Sequence, residues 1–305
     1  MHRFTIAHLS DLHLPVPTRR PALRDLLSKR FFSWLSWRKS RRFIHRPEIL
    51  TRVMADIEAS GADHLMVSGD LTNLALPEEF AQARDWLAAQ GGPERTTVVP
   101  GNHDALVPVP WREGLGLWTR WMGDAGAESA FPFVKRIGGV AVVGVSTAVP
   151  TAPFMATGRV GAAQLRRLES ALESLGREGL FRIVMIHHPI TEGAVVGRKA
   201  LTDRAAVRET LRRAGAELVL HGHSHHAALE QVPGPSGPIP VVAAPSASGD
   251  ASVKGPPGGW SQVEIAASNE AWRVSVALKT LASESEGFTV AERQVIEIPR
   301  PPAGA

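Results

Sequence analysis

The chain has 305 residues, 44% hydrophobic and 21% charged, a globular balance that excludes disordered, collagen-like and coiled-coil classes. It contains no cysteine, so disulfides and thiolate metal sites are excluded, and any metal site needs His, Asp, Glu or Asn. The net charge of +4 comes from residues 19–46, which carry ten basic side chains and one acid, and such a local charge argues against specific nucleic-acid binding.

Strand and helix patterns alternate along most of the chain. Buried strands are predicted at 4–9, 64–67, 96–99, 140–145, 182–186 and 218–220, and helices at 47–60, 77–90, 161–175 and 203–214. A Trp-rich stretch that includes Trp111, Trp118 and Trp121 is predicted to be helical. From residue 241 onward, short alternating segments around Val263 and Val274 predict antiparallel strands that complete a second sheet.

The Gly- and Pro-rich stretches read as loops within one domain. Residues 233–240 are predicted to be a hairpin loop and 246–259 a longer loop. We therefore expect a single domain over 1–298, interrupted by an insert at about 19–46, and a disordered tail at 299–305. No apolar run approaches the ~20 residues of a membrane-spanning helix, and the first residues lack a secretory-signal pattern, which predicts a cytoplasmic location.

Polar side chains follow five of the six predicted buried strands at their carboxyl ends. They are Asp11 and His13, Asp70, Asn102 and His103, His187, and His223 with His225. In α/β sheets these ends converge on one crevice, so the side chains are expected to meet there. Because residues i and i+2 of a strand lie on the same side, Asp11 and His13 are predicted to face one ion together. The set, His103 apart, offers seven oxygen or imidazole ligands, which suits two divalent metal ions that share one carboxylate.

These motifs closely resemble the five-block signature of calcineurin-like metallophosphoesterases. The blocks are Asp11-Leu12-His13, Gly69-Asp70, Gly101-Asn102-His103-Asp104, His187-His188-Pro189 and Gly222-His223-Ser224-His225. The resemblance implies an α/β fold, a four-layer αββα sandwich of two mixed sheets flanked by helices, with two Mn, Fe or Zn ions. It also implies that Asp11, His13 and His225 hold one ion, that Asn102, His187 and His223 hold the other, and that Asp70 bridges both.

The chemistry of these groups predicts a metal-dependent phosphoester hydrolase, and the resemblance to the family favours phosphodiesters over monoesters. Metal coordination lowers the pKa of water from 15.7 to about 7 and so provides hydroxide for in-line attack on phosphorus. His103 is expected to be the catalytic residue that protonates or stabilises the leaving alkoxide, oriented by Asp70 or Asp104. Asn102 and His103 are also expected to contact the substrate.

The basic insert mixes aromatic residues with arginine and lysine. Its five large aromatic residues are Phe31, Phe32, Trp34, Trp37 and Phe43. This composition suits peripheral contact with an anionic membrane at its inner face. The alternative is a cap whose rings pack on the protein body while Arg38, Arg41 and Arg42 are solvated or bind substrate. We predict a helical insert and leave these alternatives open.

The signature blocks leave the substrate undefined. They are equally similar to bacterial cyclic-nucleotide phosphodiesterases and to enzymes that hydrolyse the pyrophosphate of UDP-2,3-diacylglucosamine. The insert favours a lipid-linked or membrane-proximal substrate, whereas soluble phosphodiesterases are the commoner class, so the substrate stays open. A third hypothesis, a non-catalytic scaffold, is disfavoured because all seven ligands and His103 are present.

The remaining histidines and tryptophans are assigned structural roles. His8 and His64 lie in predicted strands, and His2 and His45 are expected to be exposed. His188, His221 and His226 flank predicted ligands and are expected to point away from the metals. The tryptophans at positions 86, 111, 118, 121 and 272 are expected to pack in the core or under loops.

Overall fold

The computed structural model describes residues 3–17, 22, 27–123, 131–283 and 287–300. The strands are β1 (Arg3–Leu9), β2 (His64–Val67), β3 (Thr96–Val98), β4 (Phe133–Ile137), β5 (Val140–Val145), β6 (Phe181–Ile186), β7 (Leu218–His221), β8 (Ala228–Pro233), β9 (Pro238–Ala243), β10 (Gly259–Ala267), β11 (Ala271–Ser283) and β12 (Gly287–Pro299). The α-helices are α1 (Lys29–Ser36), α2 (Arg42–Ile44), α3 (Pro47–Ser60), α4 (Pro77–Ala89), α5 (Ala162–Arg177) and α6 (Arg204–Ala214).

Two mixed sheets of six strands form the centre of the fold. The first has the order β12-β11-β10-β1-β2-β3, and the second has the order β4-β5-β6-β7-β9-β8. Strands β1, β2 and β3 are parallel to one another, as are β5, β6, β7 and β9, whereas β10–β12, β4 and β8 pair antiparallel. The parallel strands of each sheet therefore deliver their carboxyl ends to one edge.

The apolar core has two parts, which divide the strands of the second sheet by face. Inward-facing side chains such as Ile6, Ile183 and Met185 join one cluster that links both sheets. Outward-facing neighbours such as Val184 pack against Leu168 of α5 in a second cluster. Because these strands are buried on both faces, they appear in the sequence as continuous apolar runs. The arrangement confirms the predicted sandwich of two mixed sheets flanked by helices.

Helix α3 shows how local sequence sets an element. Pro47 occupies its first turn, where a missing N–H costs nothing. Gly61 follows its last residue with φ +66°, a left-handed conformation that glycine adopts without strain and that ends the helix. Leu50, Val53 and Ile57 form its buried face. The predicted bounds of this helix are confirmed because every signal that defines them is local.

The carboxyl-terminal strands differ from the prediction. They join the first sheet, where Val263 pairs with Ile6 of β1 and with Val276 of β11. They are also longer than predicted, with 13 residues each in β11 and β12. The alternating pattern indicates strands but says nothing about a partner that is more than 250 residues away. The Trp-rich stretch is 3₁₀-helical and not α-helical, at Trp111–Glu113 and Leu115–Trp121.

Residues at the start of the predicted tail and at both ends of the predicted hairpin loop belong to strands or pair beside them. The described parts of the tail and of the loop are therefore shorter than predicted. Pro299 pairs with Ala271 at the end of β12, and the Arg300 backbone N–H donates to the Glu270 carbonyl at 2.9 Å. Residues 301–305 lie outside the described residues. Pro233 and Pro238 pair in β8 and β9, so only 234–237 connect these strands. The single domain over 1–298 stays a prediction.

Candidate dinuclear active site

The predicted ligands lie at the carboxyl ends of β1, β2, β3, β6 and β7. Five of them have backbones in the left-handed region, with φ between 44° and 65°: Asp11, His13, Asp70, His223 and His225. Such a conformation in a non-glycine residue costs about 1–3 kcal/mol and is concentrated at functional sites. The strand alternation proposed for Asp11 and His13 is therefore the wrong reason for their shared side, because β1 ends at Leu9 and the left-handed turns aim both side chains.

Two groups of ligand atoms form in adjacent positions. Asp11, His13 and His225 make one group, and Asp70, His187 and His223 make the other, with the ligand atoms of each group within 4.8 Å of one another. Asp70 lies between the two groups, because its Oδ2 is 3.9 Å from Nε2 of His13 and 3.5 Å from Nε2 of His187. The amide Oδ1 of Asn102 is 3.2 Å from the same His187 nitrogen.

Backbone carbonyls orient several of these imidazole rings. Nδ1 of His13 lies 3.2 Å from the Thr72 carbonyl, and Nδ1 of His187 lies 2.6 Å from the Ser68 carbonyl. A carbonyl oxygen can only accept, so Nδ1 of each ring carries a proton, and Nε2 of each ring faces the Asp70 carboxylate. His223 uses Nε2 in the same way toward the Lys199 carbonyl, at 2.9 Å. This is the pattern of metal-binding histidines, whose second N–H fixes the tautomer.

Two glycines give the ligands room. A Cβ at Gly101 would overlap the Asp70 carboxylate and lie 2.8 Å from Cε1 of His187. A Cβ at Gly222 would overlap Ser10 and lie 2.7 Å from Oδ2 of Asp11. Close approach of backbone to a crowded centre therefore requires glycine at both positions.

Asp104 connects two of the ligand-bearing loops. Its carboxylate accepts backbone N–H groups from Asp70, Thr72 and Gly101 at 2.8–2.9 Å, and the Thr72 hydroxyl at 3.0 Å. Burial and the neighbouring charge of Asp70 raise the pKa of Asp104 to about 7. Asp104 therefore fixes the positions of the loops that follow β2 and β3 relative to each other. It does not orient the His103 ring, contrary to one of the two predicted orientations.

The His103 ring is oriented by a carbonyl and by an arginine of the insert. Its Nδ1 lies 2.9 Å from the Asn73 carbonyl, and its Nε2 lies 2.7 Å from Nη1 of Arg41. From His103, Oδ1 of Asp70 accepts the backbone N–H at 2.7 Å, so Asp70 does not orient the ring either, contrary to the other predicted orientation. Burial and the nearby Arg41 charge lower the pKa of His103 to about 4. The side chain is therefore neutral at neutral pH, with its proton on Nδ1.

The electrostatics of the cluster favour a cation at its centre. Burial lowers the pKa of His187, but the charges of Asp70 and Asp11 outweigh burial and raise it to about 9. Burial raises the pKa of Asp70, yet the neighbouring His187 and His103 hold it well below its usual range. Two buried carboxylates thus remain ionised among the imidazoles.

The donor set fits divalent metals. Oδ1 of Asp11 is buried, has no hydrogen bond, and lies 3.2 Å from Nε2 of His225. An unpaired carboxylate oxygen in a dry site is costly unless a cation or donor reaches it. Imidazole, carboxylate and amide oxygen suit Mn, Fe or Zn. The family-implied metals are therefore compatible with these residues.

One histidine of this region was predicted wrongly. His45 is buried, with its ring centroid 4.1 Å from that of His13 and 5.5 Å from that of His225. Its Nδ1 contacts the Ser248 hydroxyl at 3.0 Å. It lies in the insert, whose composition suggested solvent exposure, and only the folded insert places it against two predicted ligands.

Of the histidines that flank the ligands, His188 has both ring nitrogens occupied. His188 contacts the Thr147 hydroxyl at 2.7 Å through Nδ1 and the Ala156 carbonyl at 3.2 Å through Nε2. His221 is buried and His226 is exposed, and neither belongs to a ligand group among the described residues.

The tryptophans pack as predicted: Trp118, Trp121 and Trp272 are buried, and Trp86 and Trp111 pack partly against the core.

The insert forms a wall of the catalytic cavity. Residues 29–44 run as α1, a π-helical turn (Trp37–Arg41) and α2; residues 18–21 and 23–26 lie outside the described residues. A cavity of about 400 Å³ lies between this wall and the predicted ligands. Its lining includes His13, Asp70, Asn102, His103, His223 and His225 together with Lys29, Phe32, Arg41, Leu106, Phe154, Met155, Arg198 and Lys199.

The three arginines predicted to bind substrate separate in the structure. Arg41 lines the cavity, and its Nη2 donates to the Ser33 carbonyl at 3.2 Å. Arg38 and Arg42 are exposed outside it, over the rings of Trp34 and Phe43 at 5.6 and 4.5 Å. Sequence reasoning missed Lys29, Phe154, Arg198 and Lys199, because no spacing relates these residues to the ligand motifs.

The fold matches that of solved metallophosphoesterases. A dimetal phosphatase from Danio rerio superimposes with a TM-score of 0.55 at 12% identity, over 97% of this chain and 99% of the other. The purple acid phosphatase PPD1 from yellow lupin gives a TM-score of 0.56 at 13% identity, over 97% of this chain and 54% of the other. At this identity the likeness concerns the fold alone.

Sequence comparison defines the family. The model of the calcineurin-like phosphoesterase family matches residues 4–227. The chain therefore belongs to the calcineurin-like phosphoesterases. It is also similar to a protein of Synechococcus sp. named a probable cyclic nucleotide phosphodiesterase, at 27% identity over 184 residues, or 58% of this chain. The aligned part is 64% of that relative, less than two thirds of its length.

Proposed function

We propose that this protein is a metal-dependent phosphoester hydrolase that acts on phosphodiesters in preference to monoesters. The observation that carries the proposal is the pair of ligand groups on either side of Asp70, which open into a cavity lined by His103 and Arg41. Such a pair is the arrangement with which two metal ions act on phosphorus. The family supports the same reaction class.

The ligands divide between two ions as the resemblance implies. Asp11, His13 and His225 would hold one ion, Asn102, His187 and His223 would hold the other, and Asp70 would bridge them. Bound ions supply Lewis acidity and lower the pKa of a coordinated water to about 7. Mn, Fe and Zn are all compatible with the donor types.

The chain's own residues then position the ester. Arg41 remains charged, although burial lowers its pKa to about 10. Among the described residues it lies within 4.0 Å of no carboxylate oxygen, so its charge is available to a phosphoryl oxygen. His103 is positioned beside it to act on the leaving oxygen, and Asn102 contacts the substrate from the metal side. Together they orient the phosphorus for in-line displacement.

Two substrate classes follow from different observations. The Synechococcus relative supports a cyclic nucleotide or a similar small phosphodiester. The surface of the insert supports a lipid-linked nucleotide such as UDP-2,3-diacylglucosamine, because Leu27, Phe31, Phe32, Leu35 and Phe43 are exposed beside basic Arg38, Lys39 and Arg42. That surface suits peripheral contact with an anionic membrane.

No helix among the described residues is long and apolar enough to cross a membrane. We place the protein in the cytoplasm.

A substrate panel tests this proposal. Chelator-treated protein is reloaded separately with Mn²⁺, Fe²⁺ or Zn²⁺, and kcat/KM is measured for bis-p-nitrophenyl phosphate, p-nitrophenyl phosphate, cyclic nucleotides and UDP-2,3-diacylglucosamine. We expect metal-dependent turnover with diesters ahead of the monoester, and no turnover in Asp70→Asn. Metal-loaded protein that hydrolyses none of these substrates would contradict the proposal.

A further inference from the structure

Two phenylalanine rings from distant parts of the chain meet at the catalytic cavity. Phe32 belongs to α1 and Phe154 to a turn that follows β5, and their ring centroids lie 5.0 Å apart at 53°. Both line the cavity that contains Asp70 and His103. Phe154 is 71% exposed and Phe32 is 41% exposed. These rings therefore leave a large apolar surface uncovered next to the predicted metal ligands.

The backbone around Phe154 is held in an unfavourable conformation. Its φ is +67°, in the left-handed region that bulky residues rarely adopt. Polar contacts fix the turn: Lys29 Nζ donates to Thr151 Oγ1 at 2.6 Å and to the Met155 carbonyl at 2.7 Å, and the Ala156 N–H donates to the Arg198 carbonyl at 2.9 Å. Burial of the ring does not explain this conformation, because the ring stays exposed. Strain held in this way beside a catalytic cavity indicates a functional role.

The cavity also has cationic and polar side chains, in contrast to the two apolar rings. Arg41, Arg198 and Lys199 line it together with the predicted metal ligands. These cations suit a phosphate, and the two phenylalanine rings suit an apolar, planar group attached to that phosphate. The volume of about 400 Å³ falls within the ~300–1,000 Å³ of small-molecule sites. The cavity is therefore matched to one compact ligand with an anionic end and a ring.

We infer that Phe32 and Phe154 form a subsite for the aromatic ring of a phosphodiester, a nucleobase or an aryl ester. This inference rests on the proposed function and specifies its substrate class. The two rings already touch each other, so the ligand ring packs on their cavity side and not between them. Every nucleobase has a π-face, so the subsite accepts aromatic esters broadly. Alkyl esters of equal size lack this stacking.

Non-hydrolysable phosphonates test the subsite without turnover. Phenylphosphonate, hexylphosphonate and methylphosphonate share the anionic group, and the first two have the same number of carbon atoms. We measure their Kd for the Mn²⁺-loaded protein by calorimetry. Phenylphosphonate is expected to bind about tenfold more tightly than methylphosphonate, near the lower end of what stacking contributes, and more tightly than hexylphosphonate.

Variants of Phe154 identify the residue responsible. Phe154→Ala should remove most of the phenyl preference, and Phe154→Leu should weaken phenylphosphonate while leaving hexylphosphonate unchanged. Phe43→Ala is the matched control, because Phe43 is an exposed ring of the insert outside the cavity lining. Circular dichroism checks that each variant is folded, and metal analysis checks that it still binds Mn²⁺. Equal binding of phenyl- and hexylphosphonate, or a Phe154→Ala variant with unchanged preference, overturns the inference.

A kinetic comparison separates the subsite from the proposed function. Bis-p-nitrophenyl phosphate and methyl p-nitrophenyl phosphate have the same leaving group and differ in the second ester. The diaryl ester is intrinsically more reactive and offers two leaving groups, so the subsite predicts that Phe154→Ala reduces the ratio of the two kcat/KM values. Hydrolysis of both esters with a ratio that Phe154→Ala leaves unchanged would overturn the subsite and keep the hydrolase. A ring preference in phosphonate binding without hydrolysis would keep the subsite and reject the hydrolase. Equal phosphonate binding combined with loss of vesicle binding in Phe154→Ala would assign the rings to lipid and overturn the subsite.

Discussion

Nη1 of Arg41 lies 2.7 Å from Nε2 of His103, so an arginine of the insert contacts the histidine that we propose to act on the leaving group. The Asn73 carbonyl, 2.9 Å from Nδ1, fixes the proton on that nitrogen, and the same guanidinium nitrogen lies close to both ring nitrogens, 3.1 Å from Nδ1 and 2.7 Å from Nε2. This contact joins the basic insert to the signature block that contains His103. It makes the insert part of the catalytic cavity.

Arg41→Ala should lower kcat/KM for a phosphodiester about 10- to 100-fold, because a hydrogen bond to a charged group contributes ~1.5–3 kcal/mol. Arg41→Lys should restore only part of this loss, because an ammonium cannot reproduce the planar guanidinium. Metal content, measured by mass spectrometry, should stay at the wild-type value. Arg38→Ala is the control from the exposed side of the insert and should leave kcat/KM unchanged.

Asp70→Asn should release metal as well as abolish turnover. The substitution removes a negative charge from the position between the two ligand groups, where it would offset the repulsion of two cations. We expect fewer than two ions per chain after dialysis against metal-free buffer. Two ions per chain with near-normal turnover would contradict a bridging role for Asp70.

His103→Ala should keep both metals and lose rate. His103 is neutral in the free protein, so it acts as a general acid only after it binds a proton, a state that an anionic ester in the cavity favours. A general acid contributes about 10²–10⁴-fold, and the loss should shrink as the leaving group becomes more acidic, because such an alkoxide needs less protonation. A series of aryl and alkyl diesters with leaving groups of graded pKa measures this slope. A loss of equal size for every leaving group would assign His103 to substrate positioning.

Asp104→Asn should weaken metal binding although Asp104 is not a predicted ligand. Its carboxylate accepts four donors from the loops that carry Asp70 and Asn102, and an amide NH₂ would face one of the backbone N–H groups. Loss of such outer contacts lowers metal affinity about 10- to 100-fold. Titration of metal-free protein with Mn²⁺ measures the change. Glu48→Gln, on the exposed surface, provides a control with the same kind of substitution.

Membrane contact can be tested on the outward side of the insert. The double variant Leu35→Ala and Phe43→Ala removes exposed apolar area, whereas Trp34 and Trp37 are half-buried and less suited to this test. We expect wild-type protein to sediment with anionic but not zwitterionic vesicles at low salt, and the double variant to do so less. Each basic residue near an anionic surface contributes ~1 kcal/mol, which salt weakens. Wild-type protein that ignores anionic vesicles would contradict membrane contact.

The sequence by itself determined the features whose causes are local. Helix α3 begins at Pro47 and ends before Gly61 because a fixed φ and a left-handed glycine act within one turn. The positions of Asp70 and His187 follow from strands that end beside them, since parallel strands deliver their carboxyl ends to one edge. The signature blocks therefore gave the family and the cluster of predicted ligands.

The tertiary structure alone decided which distant segments meet. Periodicity marks β10 as a strand, but its pairing with β1 depends on how the chain returns from the second sheet to the first. Arg38, Arg41 and Arg42 are chemically equivalent in the sequence, and only the π-helical turn directs Arg41 to His103. The contact between Phe32 and Phe154 spans more than 120 residues and needs a left-handed backbone. Side-chain direction and long-range packing are global properties of the fold, so no local pattern records them.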